Sequence, residues 1–185
     1  MISATLKSKL HEDVCLQLNV LNHSLNYLCD CGFGSELTVS DCRDTAAIFI
    51  SHTHIDHFIN FGQVMRHQLA IGRRVIVCGP AGLAQNVQHA LLAFNWNLLQ
   101  YDDQAVSYEV REVHSNGKIK RFHLVTPTWL LNPLPDMNGP EIYRNEVFSV
   151  STAILDHGVD CIAYLFACHP KLKILVDQCP FRPGK

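Results

Sequence analysis

The stretch Ala46-Ala47-Ile48-Phe49-Ile50-Ser51-His52-Thr53-His54-Ile55-Asp56-His57 runs from an unbroken apolar segment straight into three imidazoles and a carboxylate. The apolar part reads as a short strand covered on both faces of a sheet. The histidine-rich part suits neither a core nor a strand interior. Neighbouring histidines repel one another once protonated, and need many hydrogen-bond partners if buried neutral. Neutral imidazole with a carboxylate is instead a ligand set for zinc and related divalent ions. The plain alternative is a solvated polar loop in which the histidines have no task. In an extended segment alternate side chains share a face, so His52 and His54 point the same way and Asp56 keeps that parity. A helix beginning near His57 turns that ring elsewhere. Ligands in two directions suit two metal ions in one site, which activate water and stabilise charge on a phosphoryl or carbonyl oxygen. The carboxylate of Asp56 stands where it can steer the attacking water.

Outward from this stretch the chain reads as a layered α/β domain. Val14–Val20 alternates apolar and polar residues as a half-buried strand does. Leu25–Cys29 is a second strand, ending in Asp30-Cys31-Gly32-Phe33-Gly34, where glycines permit a tight turn. Phe58, Phe61, Met65 and Leu69 at helical spacing predict one helix from His57 to Ile71, stopped by Gly72. Arg73–Cys78 is the next strand. Gly79-Pro80-Ala81-Gly82 turns the chain into a second helix with Leu83, Val87, Leu91, Phe94 and Leu98 on one stripe. Val106–Val113 and Lys118–Leu124 form a hairpin around Asn116-Gly117. Residues 126–146, with four prolines, read as loop. Val147–Leu155 is a strand running to Asp156-His157, and Ile162–Phe166 and Lys173–Val176 are two more. Strands, then strand-helix pairs, then strands again favour one domain with a mixed sheet.

Composition excludes several classes. The 185 residues are 48% hydrophobic and 17% charged, which suits a folded core, and the net charge of −2 lacks the basic footprint of a dedicated nucleic-acid module. No segment reads as a signal peptide or a membrane span, so the expected setting is the cytoplasm. The eight cysteines show no Cys-x-x-Cys pair and read as small apolar residues or free thiols, with Cys29 and Cys31 only a weak metal motif. His67 and His89 read as surface residues. Lys118, Lys120 and Arg121 read as a solvated strand face, and Phe94, Trp96 and Tyr101 as core.

The motif His52-x-His54-x-Asp56-His57 after an apolar strand resembles the signature of the metallo-β-lactamase superfamily. Asp30-Cys31-Gly32, Gly79-Pro80-Ala81-Gly82, and Ala153-Ile154-Leu155-Asp156-His157 followed by Ile162-Ala163-Tyr164 resemble segments of its ribonuclease Z branch. The resemblance spans residues 14 to 166. It implies an αββα sandwich with mixed sheets, and a nuclease that removes the 3′ trailer from precursor tRNA. It implies that His52, His54 and His157 hold one zinc ion, and that Asp56 and His57 hold a second, with manganese or iron as other occupants. Asp56 would be the general base, Asp30 would orient a ligand by hydrogen bond, and the enzyme would be a homodimer. The family's late bridging Asp and final His have no clear counterpart. Asp177 lies at a suitable spacing but follows Val176 where Gly is usual, Cys179–Gly184 resembles the start of an insertion, and Phe33 stands where the family has Glu. The chain is therefore expected to be the N-terminal portion of the family domain. The competing functions are a hydrolase of small phosphodiesters, sulfate esters or thioesters, and an inactive remnant that only binds metal.

Overall fold

The computed structural model describes residues 1–99 and 105–170. The expected strand at 173–176, Asp177, Cys179 and Tyr101 lie outside the described residues. An eight-stranded sheet runs in chain order through β1 (Ile2–Leu6), β2 (Leu16–Val20), β3 (Asn26–Cys29), β4 (Thr45–Phe49), β5 (Arg74–Pro80), β6 (Ser107–Val113), β7 (Lys118–Val125) and β8 (Asn132–Asn138). A second sheet has the order β11 (Asp160–Cys168), β10 (Phe148–Asp156), β9 (Glu141–Arg144). Strands β3 to β6 are parallel and the remaining pairs antiparallel. Parallel neighbours need crossovers, and these carry the helices α1 (Val39–Asp44), α2 (Ile55–Phe58), α3 (Phe61–Arg66) and α4 (Leu83–Leu92).

Strand β4 shows why the apolar run has no alternation. Ile48, with Ile50 just beyond the strand, packs into a core under the helices with Phe61, Val64, Leu83 and Val87. Ala47 and Phe49 face the second sheet, in a core with Tyr27, Phe148, Val150 and Ile162. Phe49 meets Tyr143, Tyr164 and Phe166 edge-on at 5.6, 5.3 and 5.1 Å between centroids, the favoured aromatic geometry. The described residues thus supply one helical layer and two sheets of the expected sandwich. No helix among them covers the outer face of the small sheet, where Leu165 is 68% exposed.

Several expectations are corrected. The single helix expected from His57 begins at Ile55 and is broken at Asn60. The cause is tertiary: the Cys31 N–H donates to the His57 carbonyl (2.8 Å), and the Asn60 N–H donates to the Cys31 carbonyl (2.9 Å) rather than along the helix. Helix α4 stops at Leu92, because the Trp96 indole N–H returns to the Leu91 carbonyl (2.7 Å) and the ring stacks edge-on against Trp129. Phe94 and Leu98 are consequently exposed, at 56% and 83%. Residues 132–138 and 141–144 are strands, not loop. Pro133 and Pro135 are tolerated because β8 is an edge strand, where a missing N–H costs little. Helix α1 was not expected; it is a short turn fixed by a capping box between Thr38 and Asp41. Nor was edge strand β1. Arg121 is not simply solvated: with Arg74 and Arg111 it clasps the buried carboxylate of Glu109. Burial pushes that carboxyl pKa up, and the arginines more than reverse it.

The described cysteines are free. Burial pushes the Cys15, Cys29 and Cys78 thiols up to about 12, so they behave as apolar core and not as thiolate ligands.

Candidate metal centre

The site forms where β4 ends. Residues 51 to 54 leave the sheet extended, and His54 is the residue on which α2 starts. The strand parity therefore holds for His52 and His54 and stops before Asp56, which lies inside α2. His157 arrives from the other sheet, in the turn between β10 and β11, where Asp156 pairs with Asp160. Ile162 N–H donates to the Ser51 carbonyl at 2.7 Å and ties that hairpin to the end of β4.

Three imidazoles meet at this junction. Ring nitrogens of His52, His54 and His157 all lie within 4.8 Å of one another, and this is a set that could hold a metal ion. His52 Nε2 and His54 Nδ1 are 3.0 Å apart. The ring centroids of His52 and His157 are 5.1 Å apart. His52 is buried, while His54 and His157 are exposed. Burial, then the neighbouring His57 and His54, lowers the pKa of His52 and favours the neutral, ligand-competent imidazole. The three-nitrogen donor set is chemically right for zinc and fits other late divalent metals as well.

His57 does not point away. Its ring centroid is 4.1 Å from that of His52. Its Nδ1 is 2.8 Å from Oδ2 of the buried Asp30, and its Nε2 faces Asp56 Oδ2 at 3.4 Å. The ring is thus held between two carboxylates, with Nδ1 donating to Asp30. Asp56 is 51% exposed at its side chain, so His57 and Asp56 pair off beside the three-imidazole group. A cleft of about 330 Å³ opens over the site, lined by His52, Thr53, His54, Pro80, Ala81, Val159 and Asp160.

No known family model and no curated protein sequence matches the chain. Solved structures do. The short form of human tRNase Z superposes with a TM-score of 0.59 at 14% identity, covering 90% of this chain and 64% of its own. The metallo-β-lactamase fold protein YhfI from Bacillus subtilis gives 0.50 at 12% identity, over 90% of this chain and 57% of that one. A diphosphatase of the PhnP family gives 0.52 at 15% identity, over 83% and 49%. This is the metallo-β-lactamase fold. The chain spans less than two thirds of the length of these structures.

Within the metallo-β-lactamase fold, the loops around the histidines are held by close backbone approaches. A Cβ on Gly32 would lie 2.0 Å from the Asp56 carbonyl oxygen, so only glycine lets the Asp30 loop pass under α2. A Cβ on Gly79 would lie 2.6 Å from Leu83 Cδ2 and 3.0 Å from the Ile50 oxygen. The turn beyond Gly79 is fixed from below by buried Glu112, which accepts from the N–H groups of Gly82 (3.1 Å) and Ala84 (2.8 Å) at the start of α4.

Three residues near the site have roles that the sequence did not assign. Tyr164 donates its hydroxyl to the carbonyls of Ile50 (2.7 Å) and Cys78 (3.1 Å), bracing the ends of β4 and β5. Cys161 Sγ lies 3.9 Å from His52 Nδ1. Ser51 touches Asp30, His52 and His57 together. The hints available were the Ser51 hydroxyl directly before the histidines and the place of Tyr164 in a segment that carries the resemblance.

Proposed function

We propose that the chain belongs to a metal-dependent phosphodiesterase of RNA, acting on the 3′ trailer of precursor tRNA. The observation that carries this is the convergence of His52, His54 and His157, from two different sheets, within 4.8 Å. Two segments about 100 residues apart in the chain, the end of β4 and the β10–β11 turn, are not brought to one point by packing alone. The fold is shared with a tRNase Z and a diphosphatase, both named for work on phosphoryl groups, and this supports the substrate class.

In this reading His52, His54 and His157 hold one zinc ion, and Asp56 with His57 takes part in holding a second. Bound zinc supplies Lewis-acid stabilisation of charge on the phosphoryl oxygen and a more acidic water. The chain's own groups do the rest. Asp30 holds the His57 ring through Nδ1, and Nε2 faces the Asp56 carboxylate. Desolvation keeps His52 neutral. Asp56, exposed beside the imidazoles, accepts a proton from the attacking water. The free thiols fit a reducing cytoplasm, and a homodimer is the expected assembly.

The test is incubation of the zinc-loaded protein with a 3′-extended tRNA and, separately, with bis-p-nitrophenyl phosphate. Trailer cleavage that His52→Ala abolishes is expected. Cleavage of the small ester alone sinks the RNA reading in favour of a small-phosphodiester hydrolase. Zinc binding without turnover of either substrate points to a protein that only binds metal.

A further inference from the structure

We infer that Ser51 is a positioning residue that places His52 and His57 under the control of one buried carboxylate, Asp30; the inference rests on the metal-site reading above. Asp30 adopts a left-handed backbone (φ 56°) and is buried. Its Oδ1 accepts from the Ser51 N–H at 2.7 Å. Its Oδ2 is 2.9 Å from Ser51 Oγ and 2.8 Å from His57 Nδ1. An ionised carboxylate only accepts, so both the Ser51 hydroxyl and His57 Nδ1 donate to it.

That assignment fixes the rest. A serine hydroxyl has one proton and two lone pairs. The proton goes to Asp30, so Oγ can only accept from His52 Nδ1, 3.0 Å away. His57 Nδ1, at 3.3 Å from the same Oγ, is already committed to Asp30 at shorter range. The other neighbour of His52 Nδ1 is Cys161 Sγ at 3.9 Å, a weak acceptor. His52 is therefore held as the Nδ1–H tautomer, with its Nε2 lone pair aimed at His54 Nδ1 and the centre of the three-imidazole group. One carboxylate sets the tautomer of His57 directly and that of His52 through a hydroxyl. Outer contacts of this kind govern ligand affinity by about 10–100-fold.

The test uses the full chain at pH 8 with Ser51→Ala and Ser51→Thr. Zinc affinity is read by competition with a chromophoric chelator, and the His52 tautomer by long-range nitrogen–proton correlation of the zinc-free protein. Ser51→Ala is expected to weaken zinc binding roughly 10–100-fold and to move His52 away from the Nδ1–H form. Ser51→Thr, which keeps the hydroxyl, is expected to restore both. Equal zinc affinity and an unchanged His52 tautomer in Ser51→Ala overturn this inference alone, with the metal site intact. No zinc bound by the wild-type chain overturns the metal reading and this inference with it. If Ser51→Ala does not fold, Ser51→Thr decides: wild-type affinity and tautomer support the role, and a loss of either in a folded protein overturns it.

Discussion

Replacing Gly32 by alanine tests the geometry of the site most directly. The added carbon would stand 2.0 Å from the Asp56 carbonyl oxygen, 2.5 Å from Asp13 Cβ and 2.8 Å from the Val14 oxygen. Non-bonded contacts sit at about 3.5 Å or more, so the Asp30 loop and α2 must separate by roughly 1.5 Å. Backbone groups cannot swing aside as a flexible side chain does. The separation strains the bonds from Cys31 N–H to the His57 carbonyl (2.8 Å) and from Asn60 N–H to the Cys31 carbonyl (2.9 Å). Overpacking of this kind costs about 1–3 kcal/mol, a fall in Tm of roughly 3–10 °C for a chain of this size. Metal ligands tolerate displacements of only about 0.2 Å, so zinc affinity should fall by at least about 10-fold. Thermal melts of the zinc-free protein and chelator competition read the two effects separately. Gly62→Ala is the control: its Cβ meets nothing within 4 Å on α3, and helix propensity should leave stability unchanged or raised by about 0.5–1 kcal/mol. A Gly32→Ala protein with wild-type Tm and wild-type zinc affinity would refute the close approach on which this reasoning depends.

Tyr164→Phe removes a hydroxyl that serves two carbonyls, and urea unfolding should show a loss of about 1–3 kcal/mol. Glu112→Ala uncaps α4 by leaving the Gly82 and Ala84 N–H groups without their acceptor; a loss of about 1–2 kcal/mol is expected in the same assay. Asp41 gives a pH signature. Burial raises its pKa, but hydrogen bonds from Thr38, Gln17 and Lys7 outweigh this and hold it at about 2. A depressed carboxyl stabilises the fold above its unfolded pKa of about 3.9 and loses that contribution as pH falls toward 2. Denaturant midpoints should therefore separate wild type from Asp41→Asn at pH 6, by about 1–2 kcal/mol after allowing for solvent screening, and converge near pH 2. Parallel curves across that range would count against the assignment.

The sequence made some of this legible because the relevant signals are local. The apolar run of β4, the parity of His52 and His54, and the strand leading to His157 are written in consecutive residues. The break at Asn60 is not: it comes from Cys31, which is remote in the chain and adjacent in space. Strand β8 was hidden because its prolines argue against strand everywhere except at an edge, and edges are a property of the sheet; β9 is only four residues long and directly follows Pro140. Ser51 was hidden for a similar reason. Its role lies in one hydroxyl shared among Asp30, His52 and His57, and no spacing rule encodes a proton's direction.

The bond from Ile162 N–H to the Ser51 carbonyl, with Tyr164 reaching the Ile50 carbonyl beside it, fastens the small sheet to the large one at the end that carries the histidines. Two stacked sheets have an inherent loose motion, sliding across their greasy interface, since apolar contact is non-directional. Here that motion is pinned at the histidine end, and also away from it, where Arg111 donates to the Ile142 carbonyl (2.6 Å) and Asn145 Nδ2 to the Tyr27 hydroxyl (2.8 Å). An ion gripping His52 and His157 would act as an additional rivet in the same seam. Ion occupancy and resistance to shear between the sheets would then rise together, and a protein stripped of metal should loosen first along that seam. Protection of the Ile162 amide from hydrogen exchange is the place to watch that happen.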